Sequence, residues 1–236
     1  ESEAPVAYAY VEAAAALAAL GARLAAAPAF AVDTETTGLD PLAVDLVGIS
    51  VALVPGEAWY LPVAGRCAGA GLELAALQTA LGPVLAGASV EKIAQNLKYD
   101  AQVLARHGLP IAGPTFDTML ASYCVDPSRR SHGLDALALE LLGHVMVPYE
   151  ALFAAGDKAR DITQVPLDKL THYAAEDADY TLRLAAHLRP ALAAAGVESL
   201  FSELEMPLVP VLAAMEEAGI GLDSAHLAAL GQRMEA

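Results

Sequence analysis

The run Ala29-Phe30-Ala31-Val32 carries no polar side chain until it reaches Asp33, and this short stretch limits the chain more than any other feature. An apolar run of that length, ended by charge, reads as a buried strand that delivers its last side chains to a site. Residues 46–53, a turn at Pro55-Gly56, and residues 58–63 read as an antiparallel pair beside it. The spacing predicts an alanine-rich amphipathic helix over residues 7–26, broken at Gly21 and stopped before Pro28. A second helix is expected over 72–86 and a strand over 90–94. Asn96 is a candidate cap for a helix running to His107, closed by Gly108. From 116 to 218 the pattern is mostly helical, with breaks near Pro127, Gly143, Gly156 and Pro166; Pro190 and Pro207 mark kinks or helix starts. The sum is an α/β layer fold with no internal repeat.

Composition narrows the function classes. Of 236 residues, 56% are hydrophobic and 18% charged, which excludes disorder and allows a sizeable core. Abundant alanine inflates the mean hydropathy, and no stretch of about 18 strongly apolar residues runs free of charge, so a membrane span is not expected. Cys67 and Cys124 are too few for a disulfide framework and lack metal-ligand spacing; free thiols in a reducing, cytoplasmic setting are expected. The net charge of −16 argues against autonomous, tight binding to a phosphate backbone. The chain opens at Glu1 and stops at Ala236 inside a helical pattern, which reads as a piece of a longer protein.

Three acidic patterns carry chemistry. In Asp33-Thr34-Glu35 the two acids project to one side if the strand persists through Glu35. Such a pair repels itself unless a cation intervenes, and a hard, oxygen-liganded ion such as Mg²⁺ or Mn²⁺ resolves the conflict. In Gln95-Asn96-Leu97-Lys98-Tyr99-Asp100, the acid falls in or just after the first turn of a helix. In Tyr173-Ala174-Ala175-Glu176-Asp177-Ala178-Asp179, Tyr173 and Asp177 share a helical face, while Glu176 and Asp179 point elsewhere, with solvation as their expected role. Each pattern alone also suits an ordinary strand end, helix start or helix surface. As an ordered set they suit a two-ion site for in-line attack on a phosphodiester. Tyrosine, with an unperturbed pKa near 10, is a poor base and better orients water.

These three segments resemble the exonuclease motifs of the DEDDy 3′→5′ exonucleases, and more narrowly those of the proofreading domain of bacterial family A (polymerase I) DNA polymerases. The resemblance covers roughly residues 28–223, including Phe116-Asp117-Thr118-Met119-Leu120 and Leu134-Asp135. Glu203-Leu204-Glu205-Met206-Pro207-Leu208, followed by Gly219-Ile220-Gly221-Leu222-Asp223, resembles the opening of the polymerase domain. The resemblance implies a ribonuclease H-like fold, a mixed β-sheet flanked by helices. It implies an exonuclease domain over 1–195, with a linker helix and truncated polymerase start over 196–236. Asp33, Glu35 and Asp177 would ligate the first of two ions, Mg²⁺ or Mn²⁺, and Asp33 would face the second with Asp100. Tyr173 would position water with help from Glu35, and the Thr34 backbone would hold the terminal 3′-hydroxyl. Leu39 would wedge against terminal bases, while Asn96 and Gln95 would bond to the phosphate backbone. Tyr149 stands either against a base or as a half-buried packing aromatic.

The implied activity is proofreading hydrolysis of single-stranded DNA 3′ ends to nucleoside 5′-monophosphates. The implied context is a covalently linked polymerase domain, a monomer, and no membrane. All motif acids are present. Ser128-Arg129-Arg130-Ser131-His132 supplies two arginines, but Gly156-Asp157-Lys158-Ala159-Arg160 is less basic than the family's usual loop. The alternatives are an RNA-trimming exonuclease of the ribonuclease D type and a non-catalytic scaffold of a polymerase.

Overall fold

The computed structural model describes residues 6–154 and 156–235; the expected chain ends at Glu1 and Ala236 lie outside them. In chain order the elements are β1 (Ala7–Tyr10), α1 (Ala14–Ala26), β2 (Ala29–Thr36), β3 (Leu46–Val54), β4 (Glu57–Pro62), α2 (Leu74–Leu85) and β5 (Glu91–Ala94). There follow α3 (Leu97–Arg106), β6 (Thr115–Asp117), α4 (Thr118–Val125), α5 (Leu134–Leu137), α6 (Leu167–Ala195), α7 (Met206–Ala218) and α8 (Ser224–Glu235). The strands form one mixed sheet in the order β1-β4-β3-β2-β5-β6. The β2, β3 and β4 strands are antiparallel, while β1 joins β4, and β5 and β6 extend from β2, in parallel. This is the expected mixed sheet flanked by helices.

Extended conformation persists through Glu35, so Asp33 and Glu35 share one face of β2 while Thr34 points to the other. On the acid-bearing face, cross-strand partners are small: Ala31 faces Ala52, which faces Ala58, and Asp33 faces Ser50. The small side chains let α6 lie close, burying Ala174, Ala175 and Ala178 completely. Alanine here shortens the distance between layers; it does not signal lipid. No helix of the described residues is long and apolar enough to cross a membrane.

Several expectations fail for identifiable reasons. The helix expected over 7–26 is a strand followed by a helix, because Ala7–Tyr10 pairs with β4 and Tyr8 sends its hydroxyl to Asp179 (2.7 Å). Gly21 does not break α1. It allows close approach, since a Cβ there would stand 2.8 Å from the Ala80 carbonyl oxygen of α2. Of the two prolines expected at kinks or helix starts, Pro190 sits inside a continuous α6 and Pro207 stands at the start of α7. Glu176 and Asp179 are buried anchors, not solvated acids. Glu176 lies 2.9 Å from His144 Nε2 and accepts from the Val147 N–H (2.7 Å). Asp179 accepts from Tyr8, from the Gly56 N–H of the β3–β4 turn and from Nε and Nη2 of Arg183. These bonds fix the rotation of α6 over the sheet.

After Gly196 closes α6 in a left-handed turn, the chain folds back. There α7 packs on α3, with Lys98 paired to Glu216 and Gln102 Nε2 donating to Glu216 (3.1 Å).

Two glycines give a paired test. Gly21→Ala should destabilise the chain by about 1–3 kcal/mol through overpacking against α2. Gly82→Ala, within α2 and facing open space, should stabilise it by about 0.5–1 kcal/mol. Chemical denaturation of both variants checks this; equal effects would show that the α1–α2 approach is not tight.

Candidate active site

Strand β2 and helix α6 meet at the acids. Ligand-capable oxygens of Asp33, Glu35 and Asp177 all lie within 4.8 Å of one another. Desolvation pushes the Asp33 carboxyl up to about 7. Burial first, then the neighbouring Asp33 charge, raises Glu35 and Asp177 well above the usual carboxylate range. Glu35 Oε1 is buried with no hydrogen-bond partner among the described residues. Three crowded, protein-shielded carboxylates with an orphaned oxygen fit a hard divalent cation, which would supply the missing positive charge.

Asp100 reaches the site from α3 on the other side of the sheet. Thr34, alternating away from Asp33 and Glu35, donates its hydroxyl to Asp100 Oδ1 (2.6 Å). The Asp100 carboxyl stands outside the close trio but is raised by burial and then by the Asp33 charge. Tyr173 donates to Asp177 one turn along α6, and burial followed by the Asp177 charge holds its hydroxyl far above the tyrosine range. It therefore stays protonated and serves as a donor.

The cap of α3 differs from expectation. Asn96 takes a left-handed conformation (φ 63°) and makes no side-chain cap bond. Asp117, at the end of β6, performs that role: its carboxylate accepts from the Asn96 and Leu97 N–H groups and from Met119 and Leu120 of α4. One buried acid thus ties two helix starts together. Asn96 instead lines the cleft.

That cleft has a volume of about 590 Å³. Thr34, Glu35 and Tyr173 lie along its lining, with Leu39, Asn96 and Tyr149 among the other walls. Leu39 is 93% exposed. Tyr149 meets Tyr173 edge-on at 6.2 Å and Phe153 at 5.1 Å, so it both packs and faces the opening. Gln95 is not on the cleft wall; its amide bridges the Thr118 hydroxyl and the His132 carbonyl. Sequence reasoning passed over Tyr99, which donates to the Gly38 carbonyl (2.8 Å) and shares a hydrogen bond with Thr36, shaping the Leu39 turn. The position of Tyr99 directly before Asp100 in the second acidic pattern is the sequence signal for it. Arg160, in a loop that reads as weakly basic, also lines the cleft while pairing with Glu150 at 3.3 Å. Arg129 is committed to Glu140.

The sequence profile described as 3′-5′ exonuclease, that of the A-type DNA polymerases, matches residues 8–193. DNA polymerase I of Rhizobium leguminosarum is 41% identical over 219 residues, covering 85% of this chain and 22% of that relative. The chain therefore spans about a quarter of the length of such relatives. Among solved structures, the POL domain of Pol1 from M. smegmatis, in complex with DNA primer-template and dNTP, superposes with TM-score 0.76 at 26% identity, over 95% of this chain and 34% of that one. Escherichia coli RNase D superposes with TM-score 0.70 at 20% identity, over 89% and 51%, a likeness of fold. By sequence profile, relatives and fold, the chain belongs to the 3′-5′ exonuclease domain family of the A-type DNA polymerases.

Proposed function

We propose that the chain removes nucleotides from single-stranded DNA 3′ ends as the proofreading part of a longer polymerase, acting as a monomer in the cytoplasm. The convergence of Asp33, Glu35 and Asp177 within 4.8 Å, with a buried and unpartnered Glu35 oxygen, carries this reading. These three residues would hold one Mg²⁺ or Mn²⁺, and Asp33 with Asp100 would face a second. Such ions lower the pKa of water and offset the negative charge that builds on the scissile phosphate.

The chain's own groups do the rest. Tyr173, kept protonated, orients the attacking water toward phosphorus while Glu35 accepts its hydrogen bond. The Thr34 backbone holds the terminal 3′-hydroxyl, and the Thr34 side chain fixes Asp100. Leu39, on a turn braced by Tyr99, wedges against the terminal base, and Tyr149 stacks on another. Asn96 and Arg160 reach the phosphates, while Gln95 steadies the turn before α3. The boundary of the exonuclease unit falls at Gly196, with 196–236 as linker helix and polymerase start.

A 3′-labelled single strand tests the reading directly. With Mn²⁺, the chain should release labelled nucleoside monophosphate, and Asp33→Ala should not. Preference for a matched RNA would favour the ribonuclease D alternative, and no release at all would favour a scaffold.

The residue roles give graded expectations. Asp177→Ala should lower kcat more than about a hundredfold, beyond the usual cost of outer-sphere changes, with stability intact because crowding is relieved. Tyr173→Phe should lower kcat roughly a hundredfold and leave Mn²⁺ affinity unchanged. Near-normal turnover by Asp177→Ala would remove it from the ligand set.

The raised carboxyls also set a pH dependence. Between about 4 and about 7 the unfolded chain releases protons that the folded site retains, so the metal-free fold loses stability as pH rises. In EDTA, the stability of the parent chain relative to Asp177→Asn should fall across that window. A flat or rising difference would mean that the carboxyls are not crowded.

A further inference from the structure

Behind Glu35 the sheet holds a second polar group for which the mechanism above has no use. Tyr60, on β4, is fully buried, and its hydroxyl has no hydrogen-bond partner among the described residues. The ring does not rise straight from its strand. It leans over Gly48 of β3, where an added Cβ would fall 2.2 Å from the phenolic oxygen. Gly48 is in turn the direct cross-strand partner of Glu35. Side chains so paired stand with their Cβ atoms about 4.5–5.5 Å apart, so the phenol occupies the place of Glu35's missing neighbour. A carboxylate has enough reach to cover that gap. Among charged groups, Glu35 acts most strongly on the Tyr60 hydroxyl. Cys67 follows it, and the buried residues that cluster with Tyr60 are apolar: Val47, Leu152, Ile162, Val165, Leu170 and Ala174.

Two orphaned polar atoms, one an acceptor and the other a donor, thus belong to side chains that neighbour the same glycine. Leaving either unbonded is costly, and a shared bond relieves both. Ligating carboxylates are commonly oriented by such a second hydrogen bond.

We propose that Tyr60 is a positioning residue for the metal site, its hydroxyl donating to the Glu35 carboxylate when that group ligates a divalent cation. The proposal rests on the metal-binding reading given above. Gly48 then serves as the gap through which the phenol passes. Tyr60 touches neither substrate nor ion; it acts by holding Glu35 in the ligating rotamer.

The test is Tyr60→Phe, which keeps the ring and removes the donor. Mn²⁺ affinity is measured by calorimetry, unfolding is followed in EDTA, and kcat and KM are determined on a single-stranded DNA oligonucleotide. The expected result is Mn²⁺ binding weakened at least about tenfold. Metal-free stability should be unchanged or higher, because a buried unpartnered hydroxyl is gone, and kcat should fall with KM unchanged. A merely structural tyrosine would give the opposite in EDTA, a less stable fold, and that result overturns the proposal. Equal Mn²⁺ affinity in the parent chain and the variant overturns it while leaving the metal reading standing. A parent chain that binds no Mn²⁺ overturns both.

Discussion

Electrostatic crowding at the end of β2 is the constraint on which the rest of the molecule depends. Asp33 and Glu35 from one strand and Asp177 from one helix sit closer than like charges tolerate without a counter-ion. The surrounding scaffold must therefore hold them against repulsion. It does so by close packing: α6 presses on a sheet face that includes Ala31, Ala52, Ala58, Ser50 and Gly48, and Ala174, Ala175 and Ala178 flank Asp177 on its buried side. Larger side chains there would lift Asp177 away from β2. The alanine content that first reads as excess hydrophobicity is the means by which two layers come near enough to place three acids together.

Repulsion would still rotate α6 unless it were fastened elsewhere. Asp179 takes bonds from Tyr8, Gly56 and Arg183, and Glu176 from Val147 and the His144 side. These acids flank Asp177 in sequence yet bond to other partners, so a single four-residue stretch supplies both a proposed ligand and its anchors. Asp117 plays the matching part for α3, bonding the N–H groups that set Asn96 and Asp100 relative to the cleft. The geometry of the acidic trio is fixed in part by buried acids outside the proposed ligand set.

The pairing of Asp33 with Glu35 and of Tyr173 with Asp177 was legible in the sequence because their spacing is local. Two residues along a strand and four along a helix put Asp33 beside Glu35 and Tyr173 above Asp177, whatever the tertiary structure. What the sequence hid depends on distant partners. Ala7–Tyr10 is as good a helix former as a strand until β4 offers it hydrogen bonds and Asp179 takes the Tyr8 hydroxyl. Asn96 has the right residue type for a cap, but Asp117, twenty-one positions later, fills the role. Gly21 reads from sequence as a helix break, yet it, like Gly48, is small for the sake of a neighbour on another element.

The central claim is that Asp33, Glu35 and Asp177 together form a divalent-cation site. Crystals of the chain grown with Mn²⁺, measured at the manganese absorption edge, test this most directly. The account predicts an anomalous peak within about 2–2.5 Å of oxygens from all three carboxylates. Peaks confined to surface acids, with the three carboxylates turned apart and the space between them empty, would contradict it.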